Sequence, residues 1–209
     1  MNSDAFHFVD LTDEQVDALE ARYGPLAAAV RELVDATIRT QADDAEVAEA
    51  IATIEGVTAG LRRTQIDGPS GVNFTASGRS WSWGNAAIGL RNGVAPPMHV
   101  DQDENGTRAE VDLGAAYEGP PGMVHGGVSA LLLDHLMGVT ASQGKQVLFT
   151  GTLTLRYRNP LPLGRVVLEG QVTGEEGRKV FVTAQIAGAN GVAVEADGIF
   201  IAPNWSTLT

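Results

Sequence analysis

The chain has 209 residues, 44% of them hydrophobic and 19% charged, which is enough material for one sizeable core plus an appendage. Its formal net charge of -12 argues against a nucleic-acid or anionic-membrane partner, so an anionic ligand must be met by local positive groups. There is no cysteine, which excludes disulfides, thiolate metal sites and a cysteine nucleophile.

Residues 1–66 read as a helical extension of three helices. It opens at Thr12-Asp13-Glu14-Gln15, a capping-box pattern in which the Thr and Gln side chains satisfy first-turn donors reciprocally. Leu26, Val30, Leu33, Val34, Thr37 and Ile38 recur at helical spacing, as do Val47, Ile51, Ile54 and Leu61 beyond a break at Gln41-Ala42-Asp43-Asp44. The segment carries 13 acids against five arginines, unlike a DNA-binding helix-turn-helix. Met1 to His7 lack the basic flank and apolar run of a signal peptide, and no stretch reaches the roughly 18 apolar residues of a membrane span, so a cytoplasmic protein is expected.

Residues 67–97, rich in Gly, Ser, Asn and Pro, read as an irregular linker or lid with short strands at most. Trp81 and Trp83 project to one side there, either lining a ligand tunnel or packing on the N-terminal helices. Strand patterns follow at 98–103 and 108–113, joined through the hairpin signal Asn105-Gly106. An apolar helix over about 125–141 comes next, then strands at 147–158, 165–174, 179–188 and 192–202. The plan is α+β: a long antiparallel sheet around a helix apolar on nearly every side.

That helix carries the chemistry. His125-Gly126-Gly127 at its start points unpaired amides at whatever approaches, and a residue without a side chain lets a ligand reach them. On residue physics alone the same triplet serves equally as a tight loop-to-helix junction. Asp134 sits among Leu131, Leu132, Leu133, Leu136, Met137 and Val139, where a lone carboxylate needs donors, a raised pKa or a function; a structural aspartate capping a neighbouring loop fits those residues as well. Nine residues separate His125 from Asp134, about 14 Å along the axis, so both act on one small group most simply if two copies of the chain lie side by side. No Gly-x-Ser-x-Gly elbow is present, and Ser129 is a weak nucleophile candidate.

The order of elements, with Gly122-Met123-Val124-His125-Gly126-Gly127 and the Asp134 spacing, resembles the hotdog-fold acyl-CoA thioesterases of the PaaI-like group. Glu118-Gly119-Pro120-Pro121-Gly122 and Tyr157-Arg158-Asn159-Pro160-Leu161-Pro162-Leu163 look most like the branch containing animal mitochondrial long-chain acyl-CoA thioesterases. The resemblance covers about residues 95–203, with the hotdog domain set at 98–203. It implies a homodimer or dimer of dimers with sites at the interface, and hydrolysis of acyl-CoA to free acid and CoA without metal or redox cofactor. The Gly126 and Gly127 amides would polarise the thioester carbonyl, Asp134 of the opposite subunit would be general base or nucleophile, His125 would touch the thioester, and Thr150 would help place the water. Many PaaI-like enzymes carry Asn or Gln where this chain has Gly119. Arg158, Arg156 and Tyr157 are the candidates for contacting CoA, with Arg178 and Lys179 as further positives; solvated surface charge is the simpler reading of each arginine or lysine. Alternatives on the same fold are an enoyl-CoA hydratase and a non-catalytic acyl-CoA-binding protein. The N-terminal helices would either cover the acyl channel or mediate assembly.

Overall fold

The structure is a computed structural model that describes residues 6–104, 106–143 and 147–203. It divides into two compact units, Met1–Gly93 and Val94–Thr209.

Among the described residues the first unit has strand β1 (Phe6–Phe8) and two α-helices, α1 (Asp13–Arg39) and α2 (Asp44–Arg62), rather than three. The Thr12 capping box forms as its sequence predicts: the Thr12 amide donates to Gln15 Oε1 at 2.8 Å and the Gln15 amide to Thr12 Oγ1 at 3.3 Å. Helix α1 then runs unbroken through Gly24-Pro25. Proline removes a single donor, and the turns on both sides, with Val16 and Ala27 buried, outweigh that loss. A second capping box at Asp43 and Glu46 starts α2. Short strands β2 (Val72–Phe74) and β3 (Ser80–Trp81) complete a three-stranded sheet, β2 pairing in parallel with β1. Arg79 secures this sheet to α1 through Asp17 at 2.7 Å and Glu20 at 3.1 Å. Trp81 and Trp83 stack at 5.5 Å, and Trp83 meets Tyr23 of α1 at 6.3 Å, so within this unit Trp83 packs on an N-terminal helix. The Arg91 guanidinium lies 3.7 Å over the Tyr23 ring.

The second unit is a six-stranded antiparallel sheet wrapped around one helix. Its elements are β4 (His99–Asp103), β5 (Gly106–Leu113), α3 (Gly126–Ser142), β6 (Phe149–Tyr157), β7 (Gly164–Glu176), β8 (Lys179–Gly188) and β9 (Gly191–Ile201). The spatial order is β4-β5-β7-β8-β9-β6. Asn105 of the predicted hairpin lies outside the described residues, but β4 and β5 pair on either side of it, Asp103 opposite Gly106.

Alternation decides which face is inner. In β8, Val180, Val182, Ala184 and Ile186 are buried, as are Ala109, Val111 and Leu113 of β5. They meet Leu132, Leu133, Leu136 and Met137 of α3, none of which retains accessible surface. Helix and sheet approach closely at Gly170, where a Cβ would lie 2.7 Å from Thr140 Oγ1. The Thr107 and Thr140 hydroxyls bond to each other beneath the helix, and Thr140 also donates to the Leu136 carbonyl at 2.8 Å, so this buried polar pair is satisfied.

The helix is not buried all round, as its sequence suggests. Leu131 is 39% exposed and Asp134 half-buried, leaving one face of α3 open toward the edge strand β6.

Candidate active site

The loop before α3 is pinned from both sides. The Gly119 amide donates to the Met123 carbonyl at 2.9 Å, Val124 to Leu161 at 2.8 Å and His125 to Tyr117 at 2.9 Å. Gly122, at φ 74°, takes the left-handed turn, and its amide donates to Glu118 Oε1 at 2.6 Å. Gly119 lies directly against the next turn of chain: a Cβ there would come 2.8 Å from His125 Cα. A side chain at this position would collide with the His125 backbone.

His125 is the N-cap of α3. Its Nδ1 accepts the Gly127 amide at 2.9 Å, and its carbonyl receives the Val128 amide at 2.9 Å. An Nδ1 that accepts carries no proton, so the neutral imidazole holds its proton on Nε2, on an exposed side chain. With Gly127 engaged, Gly126 supplies the first-turn amide that donates to no described acceptor. Tyr157 fixes the next peptide, Gly126–Gly127, its hydroxyl donating to the Gly126 carbonyl at 2.9 Å. Beside this helix start is a cavity of about 520 Å³ lined by Met123, Gly126, Ser129, Tyr157, Arg158 and Val194 among others.

Asp134 projects from the open face of α3, and Thr150 Oγ1 donates to its Oδ1 at 2.8 Å. Strict alternation would put Thr150 on the outer face with Thr152 and Thr154. The register with β9 shifts between Thr150 and Thr152, a β-bulge at Gly151, and this turns Thr150 inward to the helix. A Cβ on Gly151 would lie 2.6 Å from Ile201 Cδ1, so a larger residue at the bulge requires that side-chain end to move.

Within one chain the predicted residues therefore form two groups. His125, Gly126, Gly127, Tyr157 and Arg158 gather at the helix start, while Asp134 and Thr150 lie eight residues further along from Gly126, about 12 Å of axis. The candidate cations for CoA are partnered: Arg158 Nε donates to Glu195 at 2.9 Å, and Arg156 pairs with Asp197, whose carboxylate holds the guanidinium pKa above its ordinary value. Arg178 donates to the Ala202 carbonyl. Next to Asp134, His135 Nε2 is buried with no partner, and burial pushes its imidazole below the ordinary value against the pull of Asp134. Among the described residues no group of three His, Cys, Asp or Glu side chains is placed to hold a metal, and no helix is long and apolar enough to cross a membrane.

Three features of this geometry are not read from the sequence. Gly119 and Gly151 are close-approach glycines, and Tyr157 anchors a peptide; a glycine interrupting the Thr150-x-Thr152-x-Thr154 alternation is the one signal that marked the bulge.

A sheet curled around a helix whose N-terminus and mid-length carboxylate are both accessible defines the hotdog class of protein. The thioesterase superfamily profile matches residues 121–194, from the pinned loop into β9. A crystal structure of a thioesterase superfamily protein is 30% identical, superposes with a TM-score of 0.75, and covers 86% of this chain and 90% of that one. The chain belongs to the thioesterase superfamily. It is also similar to acyl-coenzyme A thioesterase THEM4 of Xenopus laevis, 41% identical over 91 residues, which are 42% of this chain and 41% of that protein. Acyl-coenzyme A thioesterase THEM5 of Mus musculus is 34% identical over 137 residues, 64% of this chain and 55% of that protein. The matches span about half the length of these two relatives.

Proposed function

We propose that the chain is an acyl-CoA thioesterase working as a dimer of hotdog units, with the helix start of one copy facing Asp134 of the other. The observation that carries this reading is the Asp134–Thr150 pair on the uncovered face of a helix whose own free amide lies about 12 Å away. One copy holds the base and the other the carbonyl-polarising donor.

Attack of water on the thioester carbon moves negative charge onto the carbonyl oxygen, where the Gly126 N–H at the helix start donates and the helix dipole adds to it. The Gly127 amide contributes by holding His125, whose Nε2–H then faces the thioester as a donor. Asp134 takes the water proton as the C–O bond forms; Thr150 fixes its carboxylate and positions the water. Collapse of the tetrahedral intermediate breaks the C–S bond, and the departing CoA sulfur takes the proton that Asp134 received from water, giving free acid and CoA and restoring the carboxylate. Arg158 and Tyr157, which line the cavity, and Arg156, adjacent to Tyr157 in β6 but outside that lining, are the groups proposed to meet CoA, which requires its phosphates to compete with Glu195 and Asp197 for the two arginines. The separate domain assignments, an N-terminal extension over 1–66, an irregular linker or lid over 67–97 and a catalytic domain over 98–203, are part of the same proposal.

The test is steady-state thiol release from short to long acyl-CoAs. Asp134→Asn and Asp134→Ala should each lower kcat by about a thousandfold, and Thr150→Ala by about tenfold, with folding retained. Undiminished turnover in both Asp134 variants overturns the base assignment. Binding of acyl-CoA without hydrolysis at any chain length overturns the enzymatic reading in favour of a silent binding protein.

A further inference from the structure

Helix α2 has no buried residue, although it is not polar. At 100° per residue, Val47, Ala50, Ile51, Ile54, Val57, Thr58 and Leu61 fall within an arc of about 120°, free of charge. Its five large members are 39% to 55% exposed. An isolated helix of this length is marginal in water, and in proteins helices draw most of their stability from packing such a face. The short link Thr40–Asp43 does not lead to mutual cover, because Leu33 and Ile38 of α1 are exposed too, at 41% and 51%.

The stripe is complementary to itself. Laid antiparallel on a second copy about Ile54, Val47 falls opposite Leu61, Ile51 opposite Val57, and Ile54 opposite its own counterpart. The charges agree with that direction. Acids concentrate at the start of α2, with Asp43, Asp44, Glu46 and Glu49, while its end carries Arg62 and Arg63. Asp44 and Arg62 are five full turns apart and so share one flank of the stripe. Antiparallel pairing brings Asp44 of one copy within about 3 Å, along the axis, of Arg62 of the other, at both ends. Parallel pairing would set acid against acid and opposed dipoles aside. The acidic first half also makes an anionic lipid surface a poor occupant.

We propose that the α2 stripe is a docking surface for a second copy of this chain, joined antiparallel across Ile54. This stands apart from the chemistry at Asp134 and holds whether or not the chain hydrolyses thioesters.

The chain has no cysteine, so a single introduced thiol reports its own neighbourhood in the full-length protein. Under mild oxidation Ile54→Cys should give covalent dimers as the main product. Val47→Cys alone should stay unlinked, the double variant Val47→Cys/Leu61→Cys should link, and Ala52→Cys on the opposite face should not. Absence of Ile54→Cys dimers overturns the proposal, including the case where that thiol is shielded from a soluble label by its own chain. Self-linking of Val47→Cys, or Ala52→Cys linking as readily as Ile54→Cys, overturns it equally. As a second measurement, Ile54→Glu should raise by at least tenfold the concentration at which the native assembly loses mass; an unchanged dilution curve overturns the proposal.

Discussion

Helices α3 and α2 are of similar length, 17 and 19 residues, and both carry an apolar face, yet they have opposite fates. The sheet closes over α3 and buries Leu132, Leu133, Leu136 and Met137 completely; α2 buries nothing. What differs is the place of the polar groups. In α2 every charge keeps off the apolar stripe, so the stripe is a clean surface awaiting cover. In α3 the polar groups interrupt apolar runs, and each must be answered: Thr140 by Thr107 and the Leu136 carbonyl, Asp134 by Thr150. A polar group inside a covered helix therefore points to chemistry or a network, and an apolar group on an uncovered helix points to association.

The sharpest way to break this contrast is to truncate one side chain from each helix. Leu136→Ala should cost about 3 kcal/mol in urea unfolding, because the closed sheet cannot collapse onto the cavity. Ile51→Ala should cost under about 1 kcal/mol at high dilution, where its face meets water. Equal losses would mean that α2 is as fully covered as α3. A smaller effect comes from the start of α3. Gly119→Ala forces a methyl to within 2.8 Å of His125 Cα and should displace the N-cap, lowering kcat/KM by about tenfold with a stability cost of about 1–2 kcal/mol. Retention of full activity would show that the helix start tolerates displacement.

The smallest effect concerns His135, the polar group of α3 that has no answer. Its pKa is lowered by burial, so the folded protein binds its proton less readily than the unfolded chain does. The stability this group contributes is present above the unfolded value, about 6.5, and is lost as pH falls from there through the lowered folded value. His135→Leu should flatten the decline in Tm between about pH 7 and pH 5 relative to wild type. An identical decline in both proteins would place the acid sensitivity elsewhere.

The hotdog unit was largely legible because its signals are periodic. Val180, Val182, Ala184 and Ile186 announce a one-sided strand, and the apolar run of α3 announces a helix with a sheet around it. The superfamily was legible because the pinned loop, the histidine and Asp134 keep a fixed spacing. The helix count was not, since Pro25 looks like punctuation and its neighbours overrule it. The open face of α3 was hidden because Leu131 suggests burial equally well under a sheet or under another chain. Collisions such as that of Gly119 with His125 depend on two loops meeting in space, and no local pattern records them.

The bulge at Gly151 makes the direction of one hydroxyl a matter of parity. Unbroken alternation would leave Thr150 looking outward with Thr152 and Thr154; the single extra residue reverses it, together with Phe149 before it. Regular pairing of Gly151 in place of the bulge would tidy the ladder, lengthen a regular strand and silence the Thr150–Asp134 pair at once. In this chain a more regular pairing of β6 with β9 is thus a poorer site, and sequence drift in β6 is constrained by the register at Gly151 as firmly as by residue identity.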